Sequence, residues 1–510
     1  MTEGTESADT VFALVERQAR AQPEGIYAVS TEGPQQITFR GVGIACRQVT
    51  AMLQSHNVLP GETVSFVMPN GLQTLLLLLG TMYGGRCANP VNLLSQPDQM
   101  RYVLDHSDCR LVCVAPAWEA PVRAMLATIE RSIVLLVVDP DGALEVDAQA
   151  APAHVAATAA DTMALLMYTS GTTGQPKGVM LTQANLAANA FAISAEHALT
   201  SADRVLAVLP LYHINAFAVT MLAPLAHGGS LAMAPKFSAA AFWRQAAAAH
   251  CSWINVVPTI ISYLLEGEAP ATAQTAALRF CRSASAALPP DHLSAFERRF
   301  GIGIIETMGL TETVAPSFSN PLEPALRKLG AVGRPSGCEA RVIDAQLAPV
   351  ADGVTGEIAI RGPNVMRGYY KNAHATREAF TPDGWLRSGD LGHRDADGFF
   401  FITGRIKELI IKGGENIAPR EIDEALLQHP AVLEAAAVGI PDKHYGQQIM
   451  ACIVLRADVI CTEQTLRAFC VDKLGPYKTP SVFRFVADLP RGPSGKVQRL
   501  KLLTLLEDAA

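Results

Sequence analysis

The sequence predicts an α/β fold with a large N-terminal region and a small C-terminal one. Three observations carry this reading. The chain has 510 residues, and one hydrophobic core rarely grows past about 250–300. Through the N-terminal part, short apolar runs alternate with segments of helical period, the pattern of parallel strands covered on both faces by helices. The texture changes near residue 330, where short strands follow one another between Gly, Asp and Pro.

Taken in order, Thr63 to Met68 reads as a buried strand. Pro69-Asn70-Gly71 breaks it, and a helix then runs to Gly84-Gly85. Leu111 to Val114, Ile133 to Val138, Val205 to Leu209, Trp253 to Val257 and Gly303 to Glu306 read as further strands, each followed by a turn signal or a helix-period segment. The stretch Ala148 to Ala160 reads as an Ala-rich linker or loop. Arg341 to Ile343, Gly356 to Arg361 and Phe399 to Thr403 outline a small β-rich subdomain. Beyond Arg405 a compact α+β segment is expected. It has a helix over Arg420 to Gln428 with Pro419 in its first turn, strands at Val432 to Val438 and Ile449 to Leu455, and a helix over Thr465 to Leu474 stopped by Gly475. The boundary is placed at Arg405-Ile406-Lys407, giving domains 1–405 and 406–510.

Composition excludes several function classes. Hydrophobic residues make up 49% and charged residues 17%, which favours a folded chain with large buried sheets over a disordered one. A net charge of -7 argues against binding nucleic acid through its phosphates. Met1-Thr2-Glu3-Gly4 opens without a basic or apolar region, so no secretory signal is expected. The longest Leu run, Leu75 to Leu79, lies in an apolar stretch well short of the ~20 residues a membrane span needs. The ending Glu507-Asp508-Ala509-Ala510 matches no peroxisomal or lipidation signal. The ten cysteines are scattered, and the closest pair, Cys109 and Cys113, flanks an apolar segment without a second zinc-like pair. These features predict a cytoplasmic protein.

The densest chemical signal is Tyr168-Thr169-Ser170-Gly171-Thr172-Thr173-Gly174-Gln175-Pro176-Lys177-Gly178. Glycines let the backbone approach an anion, hydroxyls and N–H groups donate to phosphate oxygens, and Lys177 adds positive charge. A flexible surface loop would have a similar composition. A Walker A loop is excluded because Lys177 follows Pro176. The segment resembles the phosphate loop of the adenylate-forming superfamily, which includes acyl-CoA synthetases, peptide-synthetase adenylation domains and beetle luciferase. The family's further landmarks follow in order: Met308-Gly309-Leu310-Thr311-Glu312, Trp385-Leu386-Arg387-Ser388-Gly389-Asp390, Gly404-Arg405-Ile406-Lys407-Glu408, Lys412-Gly413-Gly414-Glu415-Asn416 and Pro493-Ser494-Gly495-Lys496-Val497.

The resemblance implies a site residue by residue. Thr169, Ser170, Gly171, Thr172, Thr173, Gly174 and Lys177 would cradle the ATP phosphates. Ser285, Ala286, Thr307, Met308 and Gly309 would border the nucleotide, with Met308 where the family usually carries an aromatic. A thioether can still pack on a ring face. Thr311 would contact the α-phosphate. Glu312, with Thr172, would hold Mg²⁺, a hard ion that prefers oxygen. Asp390 would accept from the ribose hydroxyls, Arg405 would contact the nucleotide, and Lys407 would be the hinge of a mobile C-terminal domain. Lys412, Gly413 and Gly414 would line the path of coenzyme A. Lys496 would be the catalytic lysine, stabilising charge between carboxylate and α-phosphate. The implied fold is a large N-terminal domain of two αβαβα-type layered subdomains plus a small β-rich one, followed by the small α+β domain.

The implied activity is an AMP-forming acid–CoA ligase using ATP, Mg²⁺ and coenzyme A. Its acyl pocket would draw on His213, Asn215, Arg282 and Ser283, with His213 also counted among the catalytic residues. The form Arg282-Ser283-Ala284-Ser285-Ala286, with Ser319-Asn320-Pro321-Leu322 and Phe237-Ser238, is similar to the oxalyl-CoA synthetase branch. That points to a small polar or dianionic acid such as oxalate, malonate or sulfoacetate, whose second anion needs a donor-rich pocket. For Arg282 a structural ion pair is an equal alternative. Medium-chain fatty or aryl acids, transfer to a carrier protein, luciferase-like oxygenation and a non-catalytic sensor stand as alternatives. A monomer and a homodimer both fit.

Overall fold

The computed structural model describes residues 9–142, 155–169, 175–457, 459–491 and 497–509. Ser170 to Gly174, Gly492 to Lys496 and the start of the Ala-rich stretch, up to His154, lie outside the described residues.

The expected buried strand is Thr63–Val67, all of it buried. It lies between Cys87–Pro90 and Leu111–Val114, both parallel to it, so its apolar side chains are covered on both faces. The helix that follows, Leu72–Tyr83, is buried along its whole length. Its apolar residues therefore run all round it instead of along one stripe. It packs on the helix Phe39–Ser55 so closely that a Cβ on Gly80 would come within 2.5 Å of the Val49 Cβ.

These strands belong to a seven-stranded sheet. A second, nine-stranded sheet has a parallel centre in the spatial order Ile304–Met308, Phe280–Ser283, Trp253–Val256, Arg204–Ala207, Ser230–Met233, Ile26–Ser30. Both sheets carry antiparallel strands as well: Met163–Thr169 with Lys177–Thr182 in one, and Gln36–Thr38 and Phe318–Ser319 at the margins of the other. For the N-terminal part the alternation of strands and helices suggested parallel sheets. A parallel return needs a crossover of about a dozen residues or more, and the connection from Thr169 to Lys177 is too short for one, so it closes as a hairpin.

The β-rich region is a four-stranded antiparallel sheet of Glu339–Ile343, Gly356–Arg361, Leu386–Arg394 and Phe400–Arg405. After it come a five-stranded sheet and the helices Pro419–Leu427 and Glu463–Lys478, with a hydrophobic cluster of their own around Ile410, Ile422, Leu426, Ile449 and Leu466. Gly475 ends the long helix as expected: at φ 73° and ψ 167° it leaves the helical conformation, and a separate turn follows over Pro476 to Lys478. Among the described residues, no helix is long and apolar enough to cross a membrane.

Candidate active site

Three parallel strands end together, because Val256 is in register with Ser283 and Ser283 with Glu306. The segments after them, Ala284 to Leu288 and Met308 to Glu312, therefore leave the same sheet edge side by side. The carboxyl edge of a parallel sheet is where ligands bind in open α/β folds. Thr307 Oγ1 donates to the Ser283 carbonyl at 3.3 Å and ties the two segments. Ser285 turns at φ 76°, a left-handed conformation that costs a non-glycine residue energy and recurs at functional turns. The second segment is held from behind. Asn189, on the helix Gln183–Glu196, donates to the carbonyls of Thr313 and Pro316 at 3.0 and 3.1 Å. Gly309 is required by close packing, since a Cβ there would stand 2.8 Å from the Cα atoms of Ala315 and Pro316.

The nucleotide landmarks converge on this edge. Tyr369 Oη donates to Glu312 Oε1 at 2.8 Å, and Lys177 Nζ lies 5.0 Å from the centre of the Tyr369 ring. The end of the Gly-rich segment and the expected metal ligand thus share one tyrosine. Asp390 and Arg405 are cross-strand partners. Arg405 Nε donates to Asp390 Oδ1 at 2.5 Å, and Asp390 is only 5% exposed. The Arg405 guanidinium is held toward its charged form, first by Asp390 and further by Glu408 and Glu312, which places Glu312 and Asp390 around one cation. Thr311 and Glu312 share a single turn, Thr311–Thr313, with Met308 and Gly309 half-buried before it. Ser285 is half-buried and Ala286 exposed on the facing segment. Thr169 pairs with Lys177 at the base of the hairpin. Ser170, Gly171, Thr172, Thr173, Gly174 and Lys496 lie outside the described residues.

The residues expected to line an acyl pocket come from the end of the strand Phe280–Ser283 and from a separate segment around His213 and Asn215. His213 precedes the short helix Ile214–Ala216, which widens into a π-helical turn over Phe217–Leu222, a feature frequent at functional sites. Asn70 braces the approach. Its Nδ2 donates to the Leu209 and Ala234 carbonyls at 3.0 and 3.2 Å, and its Oδ1 accepts from the Leu211 amide at 2.9 Å. Arg282 is 0% exposed. One of its nitrogens, Nη1, donates to Asn215 Oδ1 and Asn255 Oδ1, both at 2.7 Å. Its Nε and Nη2, like Ser283 Oγ, are buried without a hydrogen-bond partner among the described residues. The alternative of a structural ion pair finds no support: no described carboxylate forms a salt bridge with Arg282. His197 adds no second positive charge, because burial, and then Arg282, push its pKa down to about 3. Asn255 escaped the sequence reading, although an Asn inside the apolar run Trp253-Ile254-Asn255-Val256 was a visible signal.

The C-terminal region presents a hairpin in which Lys412 pairs with Glu415. Gly413 and Gly414, at φ 56° and 87°, form the tight turn that only such residues make easily. Lys412 is buried and donates to the Tyr477 carbonyl at 2.6 Å, so the hairpin offers glycine backbone at its tip while the lysine anchors its base. Lys407 is exposed on the turn Ile406–Glu408, between the two β-rich regions. Arg420 crosses between them, donating from Nη1 to the Ile402 carbonyl at 2.8 Å and from Nε to Glu424 at 2.6 Å. Opposite lies Glu306, whose carboxyl burial pushes up from 4.5 to about 7 against the pull of Arg420 and the Leu288 amide, with Glu424 adding to the rise. The folded chain keeps this proton to higher pH than the unfolded chain does. Stability is therefore lost as pH rises from about 4.5, and the loss is complete above about 7. In thermal melts, Glu306→Gln is expected to raise the Tm at pH 8 more than at pH 5; equal shifts would show that titration plays no part.

A model of the AMP-binding enzyme family matches residues 15–370, and one of the AMP-binding enzyme C-terminal domain matches residues 421–496. The chain belongs to the AMP-binding enzyme family. Over 504 residues it is 56% identical to a sulfoacetate–CoA ligase of Cupriavidus necator, covering 97% of both chains. It is 34% identical to an oxalate–CoA ligase of Arabidopsis thaliana, covering 96% of this chain and 98% of that one. Among solved structures, ATP-bound MatB of Rhodopseudomonas palustris superposes with a TM-score of 0.91 at 28% identity, covering 98% and 99%. The fold is that of adenylate-forming enzymes. In this AMP-binding enzyme the residues around Glu312 also suit a magnesium ion. No group of three or more His, Cys, Asp or Glu gathers among the described residues. A single hard carboxylate fits an ion that keeps most of its ligands as water and substrate phosphate.

Proposed function

We propose that this enzyme activates a small acid bearing a second anionic group, of the sulfoacetate type, as its acyl-adenylate and then transfers the acyl group to coenzyme A. The class is AMP-forming acid–CoA ligase with ATP, Mg²⁺ and coenzyme A. The choice of acid rests on one observation: Arg282 is a wholly buried guanidinium that no described carboxylate pairs. Burial lowers its pKa only to about 9, so it stays charged at pH 7. A buried charge without a counter-ion is costly, and an anion arriving nearby offsets that cost. The sulfoacetate– and oxalate–CoA ligases named above support the same size class.

In the first half-reaction the acid's carboxylate attacks the α-phosphorus of ATP, expelling diphosphate. Lys177 and the Gly-rich segment hold the phosphates, Thr311 the α-phosphate and Asp390 the ribose, while Arg405 and Lys496 stabilise charge as it moves. Glu312 and Thr172 would hold Mg²⁺, whose charge would offset the repulsion between the two anions. In the second half-reaction the coenzyme A sulfur attacks the acyl carbon and AMP leaves. The region from residue 406 onward rotates about Lys407 between the two steps, exchanging Lys496 for the Gly413-Gly414 tip. Ten unpaired cysteines, eight of them buried, support a cytoplasmic setting.

The test is coenzyme A-dependent AMP formation with oxalate, malonate, sulfoacetate, acetate, hexanoate and benzoate. The expected result is the highest kcat/KM with a dianionic acid, at least about tenfold above acetate, as one added hydrogen bond to a charged group would give. Preference for hexanoate or benzoate would refute the choice of acid and leave the ligase class standing.

A further inference from the structure

Arg282 cannot itself touch the acid in this arrangement, because it is 0% exposed and lies beneath Asn215, which is 4% exposed. Its charge must act through what covers it. Arginine only donates, so the two hydrogens of Nη1 fix the orientation of both amides: the Asn215 and Asn255 oxygens must face the guanidinium. Asn255 Nδ2 in turn lies 3.4 Å from Asn215 Oδ1, holding the same orientation from the neighbouring strand. The Asn215 NH2 group is thereby aimed away from the arginine, with Nδ2 3.4 Å from Ser285 Oγ. A serine oxygen that accepts keeps its own hydrogen to donate outward. Ser285 is half-buried at the strained turn on the sheet edge where the nucleotide landmarks meet.

We infer that Arg282 and Asn255 are positioning residues that aim the Asn215 N–H and the Ser285 O–H at the second anionic group of the acid. This deepens the small-dianion reading and rests on it. Each link in the chain polarises the next, so neutral groups at its end carry part of the buried cation's effect. The arrangement offers the anion donors without exposing the cation, and a monoanionic acid of similar length leaves those donors unused.

The experiment compares the wild-type enzyme with Asn255→Asp and Asn215→Asp. Substrates are sulfoacetate, malonate and propionate, with KM for ATP and thermal melts measured alongside. The Asn255→Asp change would give Arg282 a carboxylate, neutralising it where it lies, and the Asn215→Asp change would remove the outward N–H donor; both keep an acceptor for the arginine. The expected result is a fall of about 30-fold in the ratio of kcat/KM for sulfoacetate to that for propionate, carried mainly by KM for the dianion. Equal losses on all three acids, or an unchanged ratio in a variant that melts like the wild type, would overturn the relay. If the wild-type enzyme itself turns over no dianionic acid, the proposed substrate class falls, and the relay with it. If the wild-type enzyme prefers dianions and the folded variants keep that preference, only the relay falls.

Discussion

Lys496→Ala is expected to lower acyl-adenylate formation by about 100- to 1,000-fold, the scale on which a preorganised charge stabilises a transition state. Thioester formation from supplied acyl-AMP should fall far less. The reason is chemical. In the first half-reaction negative charge gathers on the α-phosphate as two anions meet, and a fixed ammonium opposes that build-up. In the second, a thiolate attacks a carbonyl already activated by AMP, and the lysine has no charge of that kind to stabilise. Diphosphate release, read by ATP–diphosphate exchange, measures the first step; acyl-CoA formation from synthetic acyl-AMP measures the second. Equal losses in both would contradict the division of labour and the domain rotation behind it.

Asp390→Ala should produce the second largest effect. Its carboxylate lies almost entirely out of solvent, beside the Arg405 guanidinium. Removing it takes away the acceptors proposed for the ribose and strands a cation at the same site. KM for ATP is expected to rise about 100-fold, the cost of losing a charged hydrogen-bond partner and leaving its mate unpaired. The KM for the acid should rise much less. Asp390→Asn keeps one acceptor oxygen and should recover part of the loss. A variant in which the KM for ATP is unchanged would remove Asp390 from the nucleotide site.

The legible part of the site was the part written in contiguous motifs. Met308 to Glu312, Asp390 and Arg405 could be read in order because each sits in a short run that resembles a landmark of a known family, and the structure brings Glu312, Asp390 and Arg405 around a common centre. Tyr369, Asn70 and Asn255 were not readable as contributors. Tyr369 reaches Glu312 across fifty-seven positions of sequence, and Asn70 braces Leu209 across 139. No local pattern records such pairings, which arise only when separate strands are laid edge to edge. The pair Met163–Thr169 and Lys177–Thr182 shows a similar case: neither was read as a strand in the sequence, and their antiparallel pairing follows from the short connection between them.

By itself the sequence set out the chemistry to expect, through its resemblance to a known family: a phosphate-binding segment, a carboxylate for a hard cation, a ribose acceptor and a lysine for a charged transition state, each carried by a short contiguous motif. It also determined the alternation of strands and helices, since periodicity is local. Whether Arg282 is a structural ion pair or a reserve of charge was decided only in three dimensions. Its neighbours, Asn215 and Asn255, come from two other segments, and the electrostatics of a buried cation depend on every group around it, wherever in the chain each one lies.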